Sequence, residues 1–189
     1  VVTVTINGTN DAAVISGTST ATLTESNSVQ NASGTLSAAD ADSATTFVAQ
    51  TNVPGSNGYG KFSINAAGQW TYTMDSAHNE FKAGQAYTDS ITVTTADGTN
   101  KLLTVTINGT NDAPIVATDN VTILEDSVAN GNVLSNDSDV EGSSLSITQF
   151  SVNGTDYTAG TTANIAGVGT VTIKANGDYT FTPTNNWSG

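Results

Sequence analysis

TVTINGTNDA, residues 3–12, is the stretch that decides the fold, because it recurs unchanged at residues 104–113. In both copies Val and Ile alternate with Thr, which is typical of a strand with one buried face. The Asn-Gly-Thr-Asn-Asp that follows is typical of a polar turn. The copies begin 101 residues apart, at positions 3 and 104, and this spacing predicts modules of that length, each closed by the repeated strand.

Short strand-like runs separated by turn residues fill the interval between the two copies. About seven such runs occur, and no long stretch shows helical periodicity. The pattern predicts an all-β protein of tandem immunoglobulin-like or cadherin-like β-sandwich modules. The expected division is residues 1–11 as the closing strand and linker of a preceding module, residues 12–112 as the first β-sandwich, and residues 113–189 as the second.

The second predicted module is shorter than the first at its C-terminal end. After Tyr179-Thr180-Phe181 it lacks the last strands of the first module, so we expect an incomplete sandwich with an exposed sheet edge. One hypothesis is that Val1–Ile6 of another copy completes it by β-strand addition. The alternative is that the sequence is a window on a longer chain, whose neighbouring modules are the partners.

Acidic residues dominate the charge, with 17 Asp and Glu against 4 Lys and Arg and a formal net charge of −13. This balance argues against binding to nucleic acid or to an anionic membrane surface. The apolar runs are far shorter than the roughly 18 residues that a membrane span needs, so we expect no membrane insertion. The chain has no Cys, which excludes disulfides and thiolate metal sites.

Most of the carboxylates gather in short turn motifs. Asp40-Ala41-Asp42 and Asp137-Ser138-Asp139-Val140-Glu141 place acids at alternate positions. Calcium takes roughly 6 to 8 oxygen ligands from carboxylates and from amide and backbone carbonyls, which turns of this kind supply. The second motif lacks the loop length of an EF-hand. The alternative interpretation is that these acids only make the turns soluble.

The sequence does not indicate an enzyme. His78 is the only histidine, and no nucleophile motif accompanies it, so we expect it to lie on the surface. Aromatic residues alternate with Thr in Trp70-Thr71-Tyr72 and Tyr179-Thr180-Phe181, which favours core-facing rows over a sugar-binding platform. The acids lie in turns with no aromatic-lined cleft apparent around them, which disfavours a glycosidase.

Several motifs together resemble one family of repeats. In the first module they are VTINGTNDAP at 105–114, GTLSAADAD at 34–42 and GQWTY at 68–72. In the second they are Glu125-Asp126, residues 132–142 and Phe181-Thr182-Pro183. These motifs resemble the VCBS-type, cadherin-like immunoglobulin-fold tandem repeats of large bacterial type I-secreted (RTX-type) adhesins. The sequence departs from the family at Asp42-Ser43-Ala44, where a further acid or glycine is common.

The resemblance implies a calcium-rigidified extender, or stalk, repeat of an adhesin at the bacterial cell surface, involved in cell adhesion and biofilm formation. Calcium would be bound at the module junctions by two groups of residues. The first acidic set is Asn10, Asp11, Asp40, Asp42 and Asp97. The second acidic set is Glu25, Asn111, Asp112, Asp137, Asp139 and Glu141. Two alternatives stay open, namely a glycan- or protein-binding module of the same adhesin and a strand-donating subunit of a surface filament.

Overall fold

The structure is a computed structural model that describes residues 1–124 and 126–186. Glu125 of the Glu125-Asp126 motif therefore lies outside the described residues. The regular elements within these ranges are all β-strands, which confirms the predicted all-β class. No helix long and apolar enough to cross a membrane occurs in the same ranges. The chain divides into two compact units, unit 1 (Val1–Asn111) and unit 2 (Asp112–Gly189).

Unit 1 is built from two sheets. Its strands are β1 (Val14–Gly17), β2 (Thr20–Thr24), β3 (Asn31–Ala39), β4 (Gln50–Pro54), β5 (Gly60–Ile64), β6 (Gln69–Met74), β7 (Ala86–Thr94) and β8 (Asn100–Asn108). The larger sheet has the order β1-β3-β6-β5-β4, and the smaller sheet has the order β2-β8-β7. Neighbouring strands are antiparallel except β2 and β8, which run parallel.

The chain changes sheets at Gly17, between β1 and β2. Gly17 has a φ of 99°, and a Cβ at this position would lie 2.4 Å from the carbonyl oxygen of Thr35. Only glycine tolerates both the conformation and the close approach. The indole Nε1 of Trp70 donates a hydrogen bond of 2.7 Å to the carbonyl of Thr18 and secures the crossing. The crossing places β2 beside β8.

The core of unit 1 lies between the two sheets and follows the alternation in the sequence. In β6 the side chains of Trp70, Tyr72 and Met74 are buried, and the Thr residues between them are exposed. In β8 the inward residues Val105 and Ile107 pack into the same cluster. The expectation that Trp70 and Tyr72 face the core is therefore confirmed.

The two copies of the repeated sequence have different structures. In the second copy, Val105 and Ile107 lie in β8 and are fully buried. In the first copy no strand forms, and Val4 and Ile6 are 77% and 89% exposed. The shared Thr-Val-Thr-Ile-Asn thus forms part of a strand at residues 104–108, where β2 and β7 flank it, and has no strand partner at residues 3–7.

Unit 2 contains a four-stranded sheet and a separate hairpin. Its strands are β9 (Ala129–Asn132), β10 (Gln149–Val152), β11 (Thr155–Thr158), β12 (Thr162–Ile165), β13 (Gly169–Ile173) and β14 (Asp178–Pro183). The four-stranded sheet has the antiparallel order β12-β13-β14-β9, and β10 pairs with β11.

The four-stranded sheet repeats the centre of the larger sheet of unit 1. Gly131 lies opposite Tyr179 as Gly34 lies opposite Trp70. A Cβ would meet the aromatic ring at 2.6 Å in the first pair and at 2.7 Å in the second. The rings of unit 2 are only half-buried, however, and the buried apolar residues in its described part are Ala129 and Ala163. Unit 2 therefore buries much less of its apolar sheet face.

Asp89 is a buried carboxylate at the centre of unit 1, in phase with the inward residues Ile91 and Val93 of β7. Four hydrogen bonds of 2.9 to 3.2 Å reach its carboxylate, from the backbone amides of Asn57, Tyr59 and Gly60 and from the hydroxyl of Tyr72. Burial and the adjacent Asp89 charge raise the pKa of Tyr72, so this hydroxyl stays protonated and donates. Asp89 thereby fixes the loop between β4 and β5.

Replacing Asp89 with Asn tests this network. We expect Asp89→Asn to lower the free energy of unfolding by about 2 to 4 kcal/mol, because the amide cannot accept all four bonds and leaves buried donors unpaired. Asp156→Asn removes the same charge from an exposed site in β11, and we expect a change within about 0.5 kcal/mol. Urea denaturation of both variants measures the difference, and equal losses would contradict the role given to Asp89.

Candidate metal sites

Four residues of the first acidic set lie side by side at one end of unit 1. Asn10 and Asp11 belong to the extended segment before β1, and Asp40 and Asp42 belong to the turn after β3. The Ser43 hydroxyl donates to Asn10 Oδ1 at 2.5 Å, and the Asp11 amide donates to Asp42 Oδ2 at 3.1 Å. The entering segment and the acidic turn are thus joined through their own oxygen-bearing side chains.

Asp40 stabilises the turn through one carboxylate oxygen, while its other oxygen accepts no hydrogen bond from the described residues. Its Oδ1 accepts hydrogen bonds from the backbone amides of Asp42, at 2.7 Å, and of Ser43. Its Oδ2 is buried and has no hydrogen-bond partner within the described residues. Burying a carboxylate oxygen without a donor is costly, and a bound cation offsets that cost. The turn therefore fits a hard cation at this oxygen.

Asp97, the fifth residue of the first acidic set, anchors the start of the sandwich. Its Oδ2 accepts from the Ala13 amide at 2.9 Å and the Thr99 hydroxyl at 2.6 Å. Its Oδ1 accepts from the Thr99 amide at 3.1 Å and from the Thr95 hydroxyl. These bonds, led by the one from Thr95, hold the pKa of Asp97 well below its usual range. All four lone-pair positions are used, and a ligand role for Asp97 stays a prediction.

The second acidic set divides between the two units, and each part is described by itself. In unit 1, Glu25 follows β2 and is buried, whereas Asn111 is exposed. Glu25 Oε2 accepts from the amide of Thr110 at 3.0 Å, and the Glu25 amide donates to the carbonyl of Asn108 at 2.8 Å. Glu25 thus holds the Asn-Gly-Thr turn that follows β8.

In unit 2, two members of the second acidic set line one groove. Asp137 and Asp139 lie on a groove of about 460 Å³. Asp139 Oδ1 accepts from the amides of Glu141 at 3.0 Å and Ser143 at 3.1 Å, while Asp137 Oδ1 accepts from the amide of Ala117 at 2.8 Å. In both residues Oδ2 takes no part in these hydrogen bonds. Of the two remaining members in this unit, Asp112 is buried near the start of the unit and Glu141 is half-buried.

The carboxylates do not form a compact metal centre by themselves. Within residues 1–124 and 126–186, no three Asp, Glu or His side chains come close enough to hold a metal ion. Calcium also accepts amide, hydroxyl and backbone oxygens, and the first acidic set has the Asn10 amide and the Ser43 hydroxyl beside its acids. Which residues of either acidic set bind calcium stays a prediction.

Sequence reasoning missed two side chains that shape unit 1, Ser43 and Asp89. In the sequence Ser43 stands out only as a departure from the family, yet its hydroxyl joins the turn to Asn10. Asp89 could have been found from the sequence, because it alternates with the inward residues Ile91 and Val93. A charged residue at an inward strand position must have buried hydrogen-bond partners. The signal for Ser43 is weaker, since serine is ordinary in turns.

His78 is buried, so the expectation of a surface histidine is wrong. It is 7% exposed and stacks on Phe81 with a centroid separation of 4.6 Å. Nδ1 lies 2.6 Å from Glu80 Oε1, and Nε2 lies 2.7 Å from the carbonyl of Tyr59 and 2.9 Å from Asp75 Oδ1. Because both ring nitrogens face acceptors, these contacts favour the doubly protonated, positively charged form of the ring.

The pKa of His78 follows from these contacts. Burial alone would lower it, but the hydrogen bonds to Glu80 and to the Tyr59 carbonyl, with the charges of Glu80 and Asp75, outweigh burial and raise it. Burial likewise opposes ionisation of Glu80, but the hydrogen bond to His78 prevails and lowers the pKa of Glu80. The pair is structural, because it ties the loop after β6 to Tyr59.

The pH dependence of this pair has a definite sign. The raised pKa means that the contribution of His78 is complete below about pH 6.5 and is lost as pH rises through the folded-state pKa. We expect the loss of stability caused by His78→Gln to be larger at pH 6 than at pH 9. Because His78 is the only histidine, one NMR ring resonance reports its pKa. A value at or below about 6.5, or one unchanged by Glu80→Gln, would refute this account.

The fold and the acidic turns define a class, namely a chain of β-sandwich units with carboxylate-rich turns. The chain belongs to the bacterial cadherin-like domain family, whose model matches residues 10–109 and again residues 111–189. The cadherin-like part of the resemblance is therefore confirmed, whereas the VCBS and RTX assignments stay predictions.

A similar curated protein is the calcium-binding lectin RapA2 of Rhizobium johnstonii. It is 29% identical over 139 residues, which cover 68% of this chain and 58% of the relative. The chain thus spans less than two thirds of the length of the relative that it matches.

Proposed function

We propose that this chain is a calcium-rigidified extender repeat of a bacterial surface adhesin, that it works outside the cell in adhesion and biofilm formation, and that it is not an enzyme. The observation that carries the proposal is the buried Oδ2 of Asp40, beside Asn10, Asp11 and Asp42. Membership of the bacterial cadherin-like family and the calcium binding named for the relative support it.

The excess of negative charge on the chain supports the binding of a cation. With 17 Asp and Glu against 4 Lys and Arg, few carboxylates can find a cationic side chain. The ion pairs found among the described residues are those of His78. Carboxylates held close together repel one another, and a divalent cation removes that repulsion while its oxygen ligands become ordered. Extracellular modules commonly bind calcium at roughly 10⁻⁴ to 10⁻³ M.

In unit 1, a bound calcium ion would act on the entry of the chain into the sandwich. Asn10 and Asp11 lie on the extended segment, and Asp40 and Asp42 lie on the turn after β3. An ion held by both would join them more firmly than the two present hydrogen bonds do. Fixing the direction of the entering segment is what an extender repeat requires.

The alternative function is a glycan-binding module. It is favoured by the name of the lectin relative and by a groove of about 600 Å³ on the larger sheet. The polar lining of this groove includes Ser33, Thr35, Thr51, Ser63, Asn65, Gln69 and Thr71. Retention on a glycan array that Gln69→Ala weakens would support this function, and no retention on any glycan would remove it.

Calcium should stabilise the chain through Asp40. With a dissociation constant of roughly 10⁻⁴ to 10⁻³ M, about 10 mM calcium adds about 1.4 to 2.7 kcal/mol to the free energy of unfolding. We expect Asp40→Asn to weaken calcium binding about tenfold or more, because Asn can keep the turn through its Oδ1 but supplies no charge. Calorimetric titration and thermal unfolding in EDTA and in calcium measure both effects.

The control for this experiment is Asp156→Asn, which removes one negative charge from an exposed site in β11. We expect its response to calcium to match that of the unchanged chain. Identical unfolding in EDTA and in calcium would overturn the proposal, and an equal calcium response of Asp40→Asn would remove the first acidic set from it.

A further inference from the structure

Asn-Gly pairs occur at four places beside the strands of the two units. They are Asn57-Gly58 between β4 and β5, Asn108-Gly109 at the end of β8, Asn153-Gly154 between β10 and β11, and Asn176-Gly177 between β13 and β14. In such a pair the glycine amide nitrogen can attack the side-chain amide carbon of the asparagine, because glycine has no side chain to hinder the approach. The local sequence is reactive at all four places, so the fold decides which pair reacts.

Three of these pairs are held by hydrogen bonds. The glycine amide donates to a backbone carbonyl at 2.9 to 3.1 Å in each of them, Gly58 to Gly55, Gly109 to Gln85 and Gly177 to Lys174. Two of the asparagine side chains are bonded as well. Asn57 Nδ2 donates to the carbonyl of Thr88 at 2.6 Å, and Asn176 Nδ2 donates to Asp178 Oδ2 at 2.8 Å. An intramolecular attack needs its two atoms close and aligned, so groups that are fixed by other contacts react slowly.

The pair Asn153-Gly154 is not restrained in this way. It forms the two-residue turn between Val152 and Thr155, and its φ angles are 50° and 80°. Both residues are exposed, and within the described part of the chain no hydrogen bond holds the Asn153 side chain or the Gly154 amide. A Cβ at Gly154 would meet no atom within 4 Å, so no neighbouring group blocks the approach. The nitrogen and the side chain can therefore reach the reacting geometry.

We propose that Asn153 is a site of spontaneous deamidation, at which the turn converts its own asparagine to aspartate or isoaspartate. The Gly154 nitrogen loses its proton and forms a bond to Cγ of Asn153, and the side-chain nitrogen leaves as ammonia. The product of this step is a succinimide ring. Water then adds to one of the two ring carbonyls, and the bond from that carbonyl to the nitrogen breaks. Opening at Cγ gives aspartate, and opening at the main-chain carbonyl gives isoaspartate.

The modification changes the hairpin in two ways. Both products add a negative charge to the turn, and Asp156 already carries one on the adjacent strand. Isoaspartate also lengthens the main chain by one carbon atom, so the turn no longer matches the register of β10 and β11. Isoaspartate should therefore loosen the pairing of Val152 with Thr155 before that of Phe150 with Tyr157, whose rings stack with centroids 5.6 Å apart.

Peptide mapping of the whole chain after incubation in mildly alkaline buffer tests the proposal. Chymotrypsin cleaves after aromatic residues, so it releases residues 151–157, which contain Asn153 and no other asparagine. Mass spectrometry with fragmentation then measures the amide lost at each site. In the folded chain we expect amide loss at Asn153 to be about tenfold faster, or more, than at Asn57, Asn108 and Asn176. In urea all four should react at similar rates, because each precedes a glycine.

The variant Asn153→Gln is the matched control, because it keeps an amide but its longer side chain would have to close a larger ring. Residues 151–157 of this variant should keep their amide, and labelling by an isoaspartyl methyltransferase should disappear from them. Amide loss at Asn153 that is no faster than at the other three asparagines of the folded chain would overturn the proposal. The readout does not involve calcium, so this test is separate from that of the calcium site.

Discussion

The excess of carboxylates over cationic side chains is the constraint on which the rest of this structure depends. With 17 acids and 4 Lys and Arg, most carboxylates that are withdrawn from water must be stabilised by backbone amides, hydroxyls or bound cations. Asp89 and Asp97 are satisfied by the first two means, and each fixes a loop in doing so. Asp40 is satisfied only in part, because its Oδ2 is buried without a donor in the part of the chain that is described. The candidate metal site at Asp40 and the loops held by Asp89 and Asp97 therefore both follow from the excess of carboxylates.

A second constraint is that an apolar sheet face needs a second sheet to cover it. Unit 1 meets it, since β2, β8 and β7 cover the row that contains Trp70 and Tyr72. Unit 2 has the matching sheet, but the described residues leave its Tyr179 and Phe181 partly exposed. The repeated sequence shows the same dependence on context. Its valine and isoleucine are buried in β8 and exposed near the start of the chain.

Much of the fold could be predicted because the strands are marked by local signals. The alternation in β6 and β8 identified their inward residues, and the Asn-Gly-Thr turn identified the end of β8. The family resemblance also grouped Asp11 with Asp42, and the structure joins these two distant residues by a hydrogen bond. Contacts set by distant loops could not be read in this way. The buried contact between His78 and Tyr59 joins residues that are 19 positions apart in the sequence, and no local sequence pattern predicts it.

Small-angle X-ray scattering of the whole chain in EDTA and in millimolar calcium tests the central claim, calcium stiffening, most directly. Without calcium, repulsion between the carboxylates should leave the chain with a broad distribution of interatomic distances. The account predicts that calcium narrows this distribution and fixes the maximum dimension. Superimposable scattering curves in EDTA and in calcium would contradict it.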